Sequence, residues 1–342
     1  MRYLAEQELD DLAVGAAILG TGGGGDPYVG KLLAREAMRA HGPVAIVEVG
    51  EVPDDALVVP SAMMGAPTVL VEKLPSGDET TRAFQALQEH LGREITHTVP
   101  IEVGGLNSTT PFMVAARLGL PVVDADGMGR AFPEVQMVTP TIYGISATPM
   151  ALADDKGNVT IVETVDNHWT ERLTRAVAVE MGGAAMVAQY PLTGKQLEET
   201  MIAGTLSLAQ ELGRIVREER ASHGDPIGAV VERLAGFRLF GGKVVGVERR
   251  TIAGFARGEA RIEGMGADAG SHLQVRFQNE HLVALRDGEF VATVPDLIVM
   301  LDADTGEPIT TEALRYGFRV VVIAAPCDPR WRTPAGLALV GP

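Results

Sequence analysis

The sequence predicts an α/β protein in two parts, an N-terminal three-layer α/β/α domain with a mostly parallel sheet and a C-terminal β-barrel-like domain. Three observations carry that reading. Strand-like and helical stretches alternate through the first part of the chain, as they do where helices cover a parallel sheet. Beyond Gly236 the pattern changes to short alternating segments separated by turn signals, the signature of a compact barrel or sandwich. The 342 residues exceed one average domain. The division falls between residues 235 and 236, giving domains 1–235 and 236–342.

The elements follow in order. Residues 6–19 read as a helix, with Leu9, Leu12, Ala13, Ala16 and Leu19 on one face. A run of four glycines, Gly22 to Gly25, leads to Asp26 and Pro27, an N-cap and a first helical residue for a second helix to about His41. Strands are expected at 44–49, 57–62, 96–103 and 121–124, and helices at 66–74, 78–91 and 110–118. Two strand-like runs between 139 and 165 flank Asp154-Asp155-Lys156-Gly157-Asn158, a hairpin turn. Helices at 170–181 and 195–222 enclose a short strand at 185–190, and a further helix occupies 226–234. Seven short strands follow, at 241–250, 258–263, 272–277, 281–286, 290–293, 297–301 and 319–324.

Composition narrows the function. Apolar residues make up 46% of the chain, enough for an ordinary core. The net charge of −16 repels phosphate backbones and anionic lipid, so nucleic acid and membrane surfaces are poor partners. No run reaches the ~18 apolar residues of a membrane span, and the N-terminus lacks a signal-peptide layout. The single cysteine, Cys327, forms no internal disulfide. A reducing, cytoplasmic location is expected.

Four segments are candidates for chemistry. Consecutive glycines followed by a helix N-terminus suit an anion, so Gly22, Gly23, Gly24 and Gly25 are candidate substrate-binding residues. The same run serves equally as a tight turn. A helix precedes it, which breaks the dinucleotide fingerprint, and no Gly-Lys-Ser/Thr ends it, which breaks the phosphate loop. Glu102, Asn107 and Ser108 sit where a strand ends and a helix opens, the crevice where open α/β sheets hold ligands. Glu102 is a candidate base or metal ligand; Asn107 and Ser108 would orient a polar ring, or Ser108 would cap the helix. Asp124 and Asp126 leave the next strand end as paired carboxylates, able to share a proton or hold a divalent cation. Arg130 would clamp a substrate carboxylate or neutralise the aspartates. His168, beside Asp166, is a further candidate metal ligand with Asp124 and Asp126, or a structural residue at a helix start. The zinc-protease and serine-hydrolase motifs are missing.

Several of these segments stand together in a recognisable order. They are Leu19-Gly-Thr-Gly-Gly-Gly-Gly-Asp-Pro-Tyr28, Met63-Met-Gly-Ala-Pro67, Val71-Glu-Lys-Leu-Pro75, Gly104-Gly-Leu-Asn-Ser108 and Val123-Asp-Ala-Asp-Gly-Met-Gly-Arg-Ala-Phe-Pro-Glu134. On them the chain resembles the S-methyl-thiohydantoin desulfurase-like family, whose members are described as relatives of hydantoinases and oxoprolinases. The resemblance runs over nearly the whole chain. It implies an α/β domain followed by a β-barrel, and desulfurisation of thiohydantoin-type rings in at least some members.

The expected function is therefore a hydrolase acting on a carbon–sulfur or amide-like bond of a thiohydantoin or hydantoin-like ring. Glu102, Asp124 or Asp126 would activate water, directly or through a divalent metal ion. Asn107 and the glycine N–H groups would hold the ring or the developing anion. Two other readings are a metabolite- or nucleotide-binding regulatory subunit and a subunit of an ATP-dependent hydantoinase- or oxoprolinase-like complex. A small-molecule substrate, a homo-oligomer or such a partner subunit would complete the assembly. The sharpest geometric expectation is that the glycine loop, Asn107 and Asp124 line one pocket closed on one side by the β-domain.

Overall fold

The computed structural model describes residues 1–65, 69, 78–252 and 255–341. The helix expected at 66–74 and the motif from Val71 to Pro75 lie outside the described residues.

The chain opens with strand β1 (Arg2–Tyr3) and helix α1 (Glu8–Leu19), then the glycine loop and α2 (Pro27–His41). Asp26 caps α2 as its residue type predicts, accepting the Tyr28 N–H at 2.8 Å. Strands β2 (Ala45–Val47), β3 (Leu57–Gly65), β4 (His97–Pro100) and β5 (Val122–Val123) follow, with α3 (Asp78–Leu91) before β4 and α4 (Thr110–Leu118) before β5. These four strands pair in parallel in the order β2-β5-β4-β3. The next strands change the sheet's character. β7 (Met150–Ala153) and β8 (Val159–Val162) form the expected hairpin, and β9 (Ala184–Ala188) lies antiparallel between β3 and β7. Parallel pairing is thus confined to a four-strand block, and the expected mostly parallel sheet is a mixed one. A tight turn at 154–158 can only join antiparallel neighbours, which is why this half departs from the βα pattern.

Successive residues of β3 show how the sheet is covered. Leu57 and Val59 pack with Phe84 and Leu87 of α3 and Val114 of α4. Val58 faces the other way, toward Val99, Val123 and Leu197. Leu197 belongs to a helix numbered here in chain order after α5 (Thr139–Ile142) and α6 (Asn167–Glu180), namely α7 (Gly194–Thr200). Helices therefore lie on both faces, which explains the apolar run of β3. Asp124 and β6 (Ala125–Asp126) continue from β5, and β6 pairs with β11 (Ile202–Ala203) just before α8 (Thr205–Ala221).

The second sheet begins at Phe237 and is antiparallel throughout. It comprises β12 (Phe237–Ile252), β13 (Phe255–Gly264), β14 (His272–Gln278), β15 (Glu280–Arg286), β16 (Glu289–Thr293), β17 (Leu297–Asp302) and β18 (Arg319–Ala325), in the order β16-β15-β14-β13-β12-β18-β17. It curls around Phe240, Val244, Ile262, Leu273, Val275 and Met300. Register shifts at 238/240, 244/246, 276/277 and 284/285 bend it. No ladder joins β16 to β17 among the described residues, so the expected barrel is a curled, open half-barrel.

Buried polar groups tie the two sheets together. The Arg130 side chain is fully buried and donates to Thr21 Oγ1 at 2.9 Å and to the carbonyls of Pro295 and Asp296 at 2.7 and 2.8 Å. The His281 N–H donates to the Thr21 carbonyl at 2.8 Å, and the Thr311 N–H to the Gly22 carbonyl at 2.7 Å. Trp331, buried near the C-terminus, donates Nε1–H to the Met128 carbonyl at 2.8 Å and meets the Phe132 ring edge-on at 5.0 Å. No helix among the described residues is long and apolar enough to cross a membrane.

Candidate functional site

The site is built where β4 ends. The chain leaves Pro100 through Ile101 and Glu102, then tightens into a 3₁₀ turn at Gly105–Ser108 that the Leu106 N–H pins to the Gly24 carbonyl at 2.9 Å. Asn107 stands at the centre of the turn. Its Oδ1 accepts the Met63 N–H at 2.7 Å, and its Nδ2 donates to Glu102 Oε1 at 2.7 Å. One buried amide thus fixes both the end of β3 and the Glu102 carboxyl.

The second sheet supplies the facing group. Between β14 and β15 the chain turns at Asn279, whose φ of +57° is a conformation asparagine tolerates better than most residues. Asn279 Oδ1 accepts the Ala256 N–H at 2.8 Å and anchors the turn. Glu280 then projects toward the glycine loop. A Cβ on Gly23 would stand 2.2 Å from Glu280 Oε1, so the backbone can pass the carboxyl only where there is no side chain. A Cβ on Gly22 would likewise meet the His281 ring at 2.5 Å. Much of the glycine run is explained by this close passage of the two sheets.

Glu102, Glu280, Asn107 and Gly24 line one small cleft of about 80 Å³, open to solvent at its mouth. Met63, Met128, Phe132 and Val187 give it apolar walls, and Gln189, Arg175 and Asn279 add polar groups. Glu102 and Glu280 are both buried, and Oε2 of each has no hydrogen-bond partner. Burial drives the Glu102 carboxyl well above the ordinary carboxylate range. The Glu280 and Asp126 charges push the same way, and the Asn107 amide and Phe132 backbone oppose them. Glu280 is pushed up to about 8, chiefly by burial; the Arg130 charge is the largest opposing influence, and the Gly24 backbone helps it. The guanidinium itself is lowered by burial to about 10, so it stays charged at neutral pH.

The other sequence candidates stand elsewhere. Asp124 does not line the cleft. Its Oδ1 accepts the Leu206 and Ser207 N–H groups at 2.9 and 3.1 Å, and its Oδ2 the Ser207 hydroxyl. It therefore holds the first turn of α8. Asp126 is fully buried, and Oδ2 accepts the N–H groups of Val103, Met128 and Gly129 at 2.8–3.0 Å. Burial raises it to about 7 against those donors. It organises the loop beneath Glu102. Arg130 is occupied between the sheets, as described, and Ser108 donates to the Gly105 carbonyl at 2.7 Å. Of the four glycines only Gly24 lines the cleft. His168 is exposed in the first turn of α6. Among the described residues no group of three or more His, Cys, Asp and Glu stands together where it could hold a metal ion, so Asp124, Asp126 and His168 are not assembled into one.

Glu280 and Gln189 had no role in the reading of the sequence. Each left a faint signal. Gln278-Asn279-Glu280-His281 is a polar run between two strand patterns, and Gln189 is a lone polar residue ending an apolar strand. Burial of a polar side chain is invisible until the partner sheet is placed.

Fold and cleft together define a two-sheet α/β protein in which the second sheet brings a carboxyl to the strand-end crevice of the first. The chain belongs to the S-Me-THD-like family: residues 7–164 match the S-Me-THD-like N-terminal domain, and residues 165–342 the S-Me-THD-like C-terminal domain. A crystal structure of a protein from Chromobacterium violaceum, solved by a structural genomics consortium, is similar at 25% identity and a TM-score of 0.81, covering 99% of this chain and 95% of that one. None of the curated proteins matches the chain.

Proposed function

We propose that the protein hydrolyses a carbon–sulfur bond, or a related amide-like bond, in a small thiohydantoin- or hydantoin-like ring, with Glu102 and Glu280 as the reacting pair. The observation that carries this reading is the pair itself: two buried carboxyls in one cleft, each with an unpartnered Oε2 and a raised pKa. Groups so perturbed in a cleft mark functional sites. Family membership supports the substrate class.

Environment divides the roles. Arg130 and the Gly24 backbone favour charge on Glu280, so Glu280 is the base. Burial and the Glu280 and Asp126 charges hold the proton on Glu102, so it is the acid. With an S-methylated ring, water gives one proton to Glu280 and its oxygen bonds to the ring carbon bearing sulfur. The C–S bond breaks, and Glu102 gives its proton to the departing sulfur, releasing methanethiol. The remaining hydroxyl proton passes to the ring nitrogen as the new carbonyl forms. One proton is left on the pair, as at the start. The apolar walls hold the ring and keep other water away.

The test is incubation of purified protein with thiohydantoin and S-methyl-thiohydantoin acids, with and without divalent metals. Release of sulfide or methanethiol above the uncatalysed rate supports the reading. No turnover across the panel overturns it.

A further inference from the structure

Gln189 is the one cleft-lining amide whose side chain makes no hydrogen bond within the described residues. It is only 3% exposed, and its Oε1 is buried without a partner. Its backbone is fixed, because it follows β9 and its N–H donates to the Pro60 carbonyl at 3.2 Å. Asn107, in the same cleft, spends both ends of its amide on Met63 and Glu102. Leaving a buried amide unpaired costs about 1–3 kcal/mol, so such a group in a wall of Met63, Val187 and Phe132 asks for a ligand.

A primary carboxamide presents a carbonyl and an N–H side by side. Its complement is a group with the same two functions reversed on one edge. A cis-amide has that edge, and an open-chain secondary amide, held trans, does not. Small lactam, imide and ureide rings hold their amides cis by ring closure.

We propose that Gln189 is a specificity-determining residue that pairs through two hydrogen bonds with a cis-amide edge of the ring, selecting closed rings bearing an N–H. The inference deepens the proposed function and rests on it for the ring class. It places the recognised edge on the β9 wall, apart from the two carboxyls. N-methylated rings are rejected at Gln189, because they leave the amide buried and unpaired.

The test compares hydantoin with 1,3-dimethylhydantoin as binding probes, by ligand-observed NMR titration of wild-type protein and of Gln189→Met, a change of similar length without polar atoms. Wild-type protein is expected to prefer hydantoin by about 10-fold or more, the discrimination given by a site built to hydrogen-bond its ligand. Gln189→Met should bring the preference to within about 2-fold, while its thermal melting shows it folded. Gln189→Asn, which keeps the amide but draws it back, serves if Gln189→Met fails to fold; it too should lose most of the preference. A preference unchanged in the variant, no preference in wild type, or no binding of hydantoin overturns the inference. Sulfur release is assayed separately. A Gln189-dependent preference without turnover leaves this inference standing and removes the proposed reaction; turnover without the preference does the reverse.

Discussion

At the scale of single residues, the account turns on what surrounds two glutamates. Glu102 has one oxygen held by Asn107 and the other unpartnered; Glu280 has a charged arginine and the Gly24 backbone nearby, and its Oε2 is unpartnered. If Glu102 delivers the proton to the departing sulfur, its importance depends on how badly the leaving group needs one. Glu102→Gln should slow release of methanethiol by about 10²-fold or more, within the usual range for general acid catalysis. The loss should shrink to about 10-fold or less for a ring carrying an S-aryl group, whose thiolate leaves unaided. Steady-state kcat for the two substrates checks this, and equal losses would remove Glu102 as the acid. Glu102 and Asn107 were legible in the sequence because a strand end opening into a helix is a known ligand crevice. Asp124 and Asp126 looked equally apt there. What separates them is which oxygens are already taken by backbone N–H groups, and that needs coordinates.

At the scale of elements, the glycine loop is where local pattern and tertiary packing diverge. Four glycines before a capped helix read as an anion cradle, and an acidic group does stand against them. It is the protein's own Glu280, with Oε1 against Gly23. The sequence therefore announced a close approach and left the approaching group unnamed, because that group lies on β15, far along the chain. Gly23→Ala should displace Glu280, destabilising the protein by roughly 1–3 kcal/mol in the manner of an overpacked core. It should also lower turnover far more than melting alone explains. Gly50 is the control, because a Cβ added there would meet nothing within 4 Å and its φ is not positive. Gly50→Ala should change neither. Urea denaturation and activity on the two variants check the pair. The same limit applies to β7, β8 and β9: their strand character was readable, but their antiparallel placement beside β3 depends on chain reversals that periodicity does not encode.

At the scale of the whole molecule, the two sheets are joined by buried polar groups whose titration couples to folding. Glu102, Glu280 and Asp126 all have folded pKa values above their ordinary ones, Glu280 at about 8 and Asp126 at about 7. In the unfolded chain these carboxyls lose their protons near pH 4, whereas the folded protein keeps them. Stability therefore falls as pH rises across that window, by up to about 1.4 kcal/mol per pH unit for each proton held only by the folded state. His281 acts oppositely, because burial lowers it to about 4, so its contribution is lost as pH falls below 6.5. Between about pH 6.5 and 8 the carboxyls dominate. The melting temperature should thus drop steadily from pH 6.5 to 8, and Glu280→Gln should flatten the drop. Calorimetric melting at those pH values checks it; a wild-type curve rising over that range would contradict the assignment.

The second, antiparallel sheet was legible as a change of period beyond Gly236, but the open edges of the half-barrel and the reach of Arg130 from the first sheet to residues 295–296 were not. Those depend on how the sheets meet, and the meeting is what makes the cleft. The most direct test of the cleft's central claim is the pH dependence of kcat/KM for S-methyl-thiohydantoin acid, followed by methanethiol release in wild-type protein and Glu280→Gln. With Glu280 as the base, wild-type activity should rise tenfold per pH unit below about 8, where that carboxyl ionises. Glu280→Gln should be slower by about 10²-fold or more, with that limb gone. A Glu280→Gln protein that keeps wild-type activity and the same ascending limb would contradict the account.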